Sequence, residues 1–140
     1  MKNTILILIS LLFLTGCMEE KEVTSLQDRG GIKYEINQEE PFTGKYVKYY
    51  DNGQKEFEEH YKDGKKDGLD TLWYENGQKG GEEHYKKGKR EGSWTVWDKN
   101  GQKRLEWNFK DGKKDGLLTL WDKEGTVIRT ETYKNGERVK

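Results

Sequence analysis

From residue 44 to the end of the chain, apolar residues alternate with polar ones in short runs bounded by glycine. Four runs, GKYVKYYDNGQ, GLDTLWYENGQ, GSWTVWDKNGQ and GLLTLWDKEGT, are each followed by a second alternating run such as EFEEHYKDGK or RLEWNFKDGK. A period of two is typical of β-strands, and Asn-Gly between strands is a strong hairpin signal because both turn positions tolerate positive φ. The pattern predicts two strands and two turns in every unit.

Glycine spacing gives the length of the unit. Twelve of the 17 glycines fall into three series with a 24-residue spacing: 44, 68, 92, 116; 53, 77, 101, 125; and 64, 88, 112, 136. Such a period predicts an all-β fold, an extended single-sheet array of antiparallel β-hairpins with repeats at 44–67, 68–91, 92–115 and 116–139. The repeat domain would span 34–140, with Tyr34 in an imperfect leading strand. In the second repeat, Gly80-Gly81 replaces larger side chains and indicates an irregular second strand.

The first 17 residues, MKNTILILISLLFLTGC, differ from the rest. The apolar run is too short to span a bilayer as a mature helix but suits the core of a signal peptide. The residues LTGC at 14–17 resemble the bacterial lipobox, and Cys17 is the only cysteine. We expect a lipoprotein signal peptide at 1–16, a lipid on Cys17 and an acidic tether at 17–33. The protein would then be lipid-anchored in the cell envelope, at the outer membrane or cell surface of a Gram-negative organism; an ordinary secretory signal is the alternative.

Composition and the candidate catalytic and metal-binding residues exclude several classes of function. Lys and Arg number 26, as do Asp and Glu, so the chain has no overall positive charge to attract nucleic acid. The metal candidates Glu58, His60, Glu82 and His84 recur in successive hairpins, about 9.5 Å apart, which is too far for shared ligation of one ion. The sequence offers no nucleophile–base pair and no phosphate-binding loop, so it predicts a non-enzyme without metal or cofactor.

The run G-x-W-x-x-W/Y-x-x-N-G-Q-K followed by E-x-x-Y-K-x-G-K-x-x-G resembles the MORN-type repeat, in the variant form of bacterial YwqK-family antitoxins. The resemblance covers residues 44–140 and implies a β-hairpin array that mediates interactions. Three functions stay open: a lipoprotein platform that binds an unidentified protein, which is favoured; an antitoxin or immunity-like protein that neutralises a toxin; and a module that binds wall glycan or lipid headgroups. The last gains support from a net positive charge along the second turns.

Side-chain alternation predicts the two faces of the sheet. In the second strands, one face receives Tyr61, Tyr85, Phe109 and Tyr133, and the other receives Glu58, Glu82 and Glu106. We expect the first-strand column Tyr49, Trp73, Trp97 and Trp121 to join the former as an aromatic spine. The opposite face would then expose apolar residues that the core does not need, and such patches mark interaction sites. These candidate binding residues are Tyr46, Leu72, Trp94, Val96, Leu118 and Leu120.

Replacement of the only thiol tests the anchor. Cys17→Ser removes the acceptor of the lipid, so the precursor should stay uncleaved by the lipoprotein peptidase and leave the detergent phase in phase partitioning. A Ser variant that still partitions with membranes at the processed mass would contradict the lipobox interpretation.

Overall fold

The computed structural model describes residues 20–139. The predicted signal peptide and Cys17 lie outside the described residues. Within these residues the chain forms strands and turns without a helix, which confirms the all-β prediction. The strands are β1 (Glu22–Val23), β2 (Gln27–Arg29), β3 (Ile32–Tyr34), β4 (Gly44–Tyr49), β5 (Lys55–Lys62), β6 (Lys65–Lys66), β7 (Gly68–Trp73), β8 (Lys79–Lys86), β9 (Lys89–Trp97), β10 (Lys103–Lys110), β11 (Lys113–Lys114), β12 (Gly116–Trp121), β13 (Val127–Lys134) and β14 (Glu137–Val139).

The repeats form one sheet whose strand order follows the chain. The order is β1-β4-β5-β7-β8-β9-β10-β12-β13-β14, with β6 beside β5 and β11 beside β10. Strands β4 to β14 pair in antiparallel fashion, and β1 joins β4 in parallel. Strands β2 and β3 form a separate antiparallel hairpin. The predicted single-sheet array of hairpins is therefore confirmed.

The two turns of a unit have different backbone geometry. At Asn52-Gly53 only the glycine has positive φ, and the Asn52 side chain donates a hydrogen bond of 2.9 Å to the Glu75 carbonyl in the next unit. At Asp63-Gly64 both residues have positive φ, 50° and 73°. Two successive positive φ values, expected at 52–53, 76–77 and 100–101, occur instead in the second turns, at 63–64, 87–88, 111–112 and 135–136.

Successive second turns hydrogen-bond to one another. The Gly88 N–H donates to the Lys66 carbonyl at 2.7 Å, and the Lys87 N–H donates to the Asp67 carboxylate at 3.0 Å. The equivalent side-chain acceptors and N–H donors are Thr43 and Asp63, Glu91 and Asp111, and Asp115 and Asn135. The string KDGKKDGL recurs because each unit uses it to bond to its neighbours: the N–H of its first glycine bonds to the preceding unit, and a lysine carbonyl and the second aspartate accept from the next unit.

Register places the aromatic columns on two faces instead of one. We call face A the face of Tyr61, Tyr85, Phe109 and Tyr133, and face B that of Glu58, Glu82 and Glu106. Leu72 lies opposite Phe57 on face A, so the next residue, Trp73, lies on face B, where Lys55 contacts both Trp73 and Glu58. The expectation that the tryptophan column shares a face with Tyr61 is wrong. The candidate binding residues lie instead on face A with the tyrosines.

The segment before the repeats contacts the first unit. The Lys45 N–H donates to the Lys21 carbonyl at 2.7 Å, which places β1 against β4. The β2–β3 hairpin bonds to the Asp63-Gly64 turn through the Lys33 N–H, 2.9 Å from the Gly64 carbonyl. The described part of the predicted tether, 20–33, thus contains three short strands.

Buried side chains are few, as expected for a single sheet. The buried hydrophobic residues of the described range are Phe42, Val47, Tyr61, Phe109 and Leu118. Thr71, Thr95 and Thr119 are buried at the positions equivalent to Val47. Strand β8 has eight residues, like β5, β10 and β13, so the array continues through Gly80 and Gly81. The register of β8 against β7 shifts at Gly80, in line with the expected irregular strand, but β5, β10 and β13 shift at the equivalent positions as well.

Two glycines with similar backbone angles differ in their surroundings and give a matched test. Gly64→Ala should lower the free energy of unfolding by about 3 kcal/mol, because positive φ is unfavourable and the new methyl would overlap Ile32 and the Lys33 carbonyl. Gly125→Ala meets open space and should cost about 1 kcal/mol. Urea unfolding measures both. Equal losses would contradict the packing of the β2–β3 hairpin on this turn.

Candidate functional site

Face A carries three rows of side chains that run across the strands. We call the first the apolar row: Lys48, Phe57, Leu72, Gly81, Val96, Leu105, Leu120 and Arg129. It begins and ends with a basic residue, and Gly81 interrupts it. The interruption leaves a hollow of about 340 Å³ between Leu72 and Val96.

The next row, the middle row, changes character along the array: Tyr46, Glu59, Asp70, Glu83, Trp94, Trp107, Leu118 and Glu131. Three carboxylates lie side by side on β5, β7 and β8. Lys66 Nζ lies 2.7 Å from both Glu59 and Asp70, and Arg90 Nε lies 2.6 Å from Glu83. Burial raises the pKa of Asp70 although Lys66 opposes that shift.

The third row stacks each unit on the next. The ring at the end of every second strand is covered by the residue 19 positions earlier: Phe42 packs on Tyr61 at 6.1 Å, Lys66 on Tyr85 at 4.9 Å, Arg90 on Phe109 at 5.3 Å and Lys114 on Tyr133 at 5.0 Å. Cations over aromatic faces are attracted by the ring quadrupole. This column was not predicted from the sequence, although Lys66, Arg90 and Lys114 share the 24-residue spacing.

Tyrosine–glutamate pairs join the third row to the middle row, except in the third repeat. The hydroxyls of Tyr61, Tyr85 and Tyr133 donate to Glu59, Glu83 and Glu131 at 2.8, 2.7 and 2.8 Å. In the third repeat both partners are replaced, by Phe109 and Trp107. An aromatic cluster results, in which Trp107 packs against Trp94 at 5.6 Å and against Phe109 at 5.8 Å.

The six candidate binding residues share face A but differ in accessibility. Leu72 is 46% exposed beside the hollow, whereas Leu118 is only 5% exposed and belongs to the core. Tyr46 packs on Phe57 at 5.4 Å, and Trp94 belongs to the aromatic cluster. The expectation that these residues stand apart from the aromatic columns is wrong, because register brings both sets to one face.

On face B, lysines cover tryptophans and pair with glutamates. Lys103 lies over the Trp121 ring at 5.6 Å and 2.5 Å from Glu106, and Lys55 and Lys79 pair in the same way with Glu58 and Glu82. The His60 ring contacts the Leu69 carbonyl at 2.5 Å. Among residues 20–139, no three His, Cys, Asp or Glu side chains are placed to hold a metal ion.

Three segments of the chain, residues 42–63, 90–111 and 114–135, match the family described as MORN repeat variant. The three matches start in the same phase of the 24-residue period, and the position that they skip is the second repeat, which carries Asp70 and Gly81. No curated protein matches the chain.

No helix within 20–139 is both long and apolar enough to cross a membrane.

The paired replacement in the third repeat can be reversed. Trp107→Glu alone places a carboxylate beside Phe109 without a hydroxyl donor and should destabilise the array. Adding Phe109→Tyr should recover about 1.5 kcal/mol relative to the sum of the single changes, because the hydrogen bond of the other three repeats is restored. Urea unfolding of the four proteins of the double-mutant cycle measures the coupling. Strictly additive effects would show that the Tyr–Glu pairs are not coupled.

Proposed function

We propose that the protein is a lipid-anchored envelope protein whose MORN repeats bind a protein partner through face A, without catalysis. The observation that carries the proposal is that exposed Leu72 and half-buried Trp94 and Trp107 all lie on face A, where Leu72 and Trp94 line the hollow at Gly81. Large aromatic residues within partly apolar surface are typical energetic centres of protein interfaces. The anchor rests on LTGC at 14–17 and the single cysteine, Cys17.

A protein partner is favoured over an anionic lipid because of how charge is arranged in the second turns. Lysines there alternate with carboxylates, as where Lys134 pairs with Asp115 at 3.1 Å. A toxin would be one such protein partner, and the resemblance to YwqK-family antitoxins supports that case. Its identification is left to the capture experiment.

Two leucines with similar exposure on opposite faces provide that experiment. Leu72 on face A is 46% exposed, and Leu117 on face B is 49% exposed. We expect crosslinking in intact cells to capture the same protein with the wild type and with Leu117→Ser, and several-fold less of it with Leu72→Ser. Both variants should unfold at nearly the same temperature as the wild type.

Equal capture by the two variants would contradict the assignment of the interface to face A. Capture that persists after Cys17→Ser in soluble protein would separate binding from anchoring. Recovery of polysaccharide or lipid in place of a protein would overturn the proposal itself.

A further inference from the structure

The hollow exists because residue 81 is a glycine and has no side chain. The backbone conformation at this position does not require glycine. Gly81 has no positive φ, so any residue fits its conformation. A Cβ placed there would meet only the Thr95 carbonyl at 3.8 Å and Leu72 Cβ at 3.9 Å. The equivalent residues of the other repeats are Phe57, Leu105 and Arg129. The second repeat therefore leaves open a volume that its neighbours fill.

Carboxylates exceed cations around this hollow. Glu59, Asp70 and Glu83 line it, and Lys66 and Arg90 are the cations that contact them. Glu83 Oε1 is buried against Arg90 Nε at 2.6 Å, and Glu83 Oε2 accepts from the Tyr85 hydroxyl at 2.7 Å. The Glu83 carboxylate therefore has two partners.

The fourth repeat shows the filled version of the same arrangement. Arg129, at the position equivalent to Gly81, and Arg138 both donate to Glu131 Oε1, and the Tyr133 hydroxyl donates to Glu131 Oε2. These contacts, with Arg129 the largest, lower the pKa of Glu131 to about 2. Glu83 has the matching Tyr85 and Arg90 but lacks the third donor.

We propose that the hollow at Gly81 receives an arginine side chain of the protein partner, whose guanidinium bonds to Glu83 as Arg129 bonds to Glu131. The aliphatic stem lies between Leu72 and Val96, and Trp94 forms one wall. Long basic side chains bury their stems on apolar surface while the head group bonds to carboxylates. The inference rests on the proposed function and specifies the chemistry of the residue bound.

The test titrates the full chain in detergent micelles with N-acetyl-arginine amide and follows the Gly81 amide by NMR. We expect saturable shifts at Gly81 and Glu83, and binding about ten-fold weaker in Glu83→Gln because a charge-assisted hydrogen bond is weakened. Gly81→Leu, which copies the third repeat, should abolish the shifts. Glu106→Gln on face B is the matched control and should bind as the wild type does.

A second variant supplies the arginine from the chain itself. Gly81→Arg places a guanidinium in the hollow beside Glu83 and should abolish the shifts that N-acetyl-arginine amide causes. Undiminished binding of the probe to Gly81→Arg, or N-acetyl-leucine amide binding as well as the arginine probe, would overturn the inference. Arginine binding without a captured partner would contradict the proposed function alone. A Leu72-dependent partner with no arginine binding would contradict this inference alone.

Discussion

Hydrogen bonds between successive second turns hold the units of this protein together. Each turn presents a glycine N–H with positive φ to the carbonyl of the preceding turn, as Gly88 does to Lys66, and a carboxylate such as Asp67 accepts a second N–H. These bonds fix both the rotation and the distance between units. The 24-residue period is therefore a consequence of backbone geometry, because Gly64 and its equivalents must recur where each turn bonds to the preceding one.

A single sheet has no second layer to cover its faces, so long side chains cover them instead. On face A, Lys66, Arg90 and Lys114 lay their stems and charges over the rings of the next unit. On face B, lysines such as Lys103 cover tryptophans and pair with glutamates. Contacts of this kind involve adjacent units only, so the stability of the array is approximately a sum over units and their interfaces.

Period, strands and turn positions could be predicted because glycine spacing and alternation report directly on the backbone. The faces could not be predicted reliably, because alternation within one strand does not say which residue of the neighbouring strand lies opposite. Leu72 and Trp73 are both apolar, and only the pairing of Leu72 with Phe57 decides which belongs to face A. The turn type was misassigned because the first turn has three residues, 51–53, closed by the Tyr50 N–H donating to the Gln54 carbonyl, and such a loop needs positive φ only at its glycine. The sequence shows two glycines at Gly80-Gly81, where the other repeats have larger side chains. It does not show that a hollow results, because that depends on which residues of the neighbouring strands lie beside Gly81.

The charged ends of the apolar row bear on how copies of the chain meet. Strand β14 pairs only with residues 132–134 of β13, so the part of β13 that carries exposed Val127 and Ile128 lies at the sheet edge. An exposed apolar strand at a sheet edge is a template for pairing with another chain. If a second array continued the first in the same register, Arg129 would take the place of Phe57 and Lys48 that of Leu72. Two like charges would then face each other, and β1 already occupies part of the edge of β4. The terminal charges therefore act against head-to-tail polymerisation, which the self-complementary geometry of a repeat array would otherwise favour.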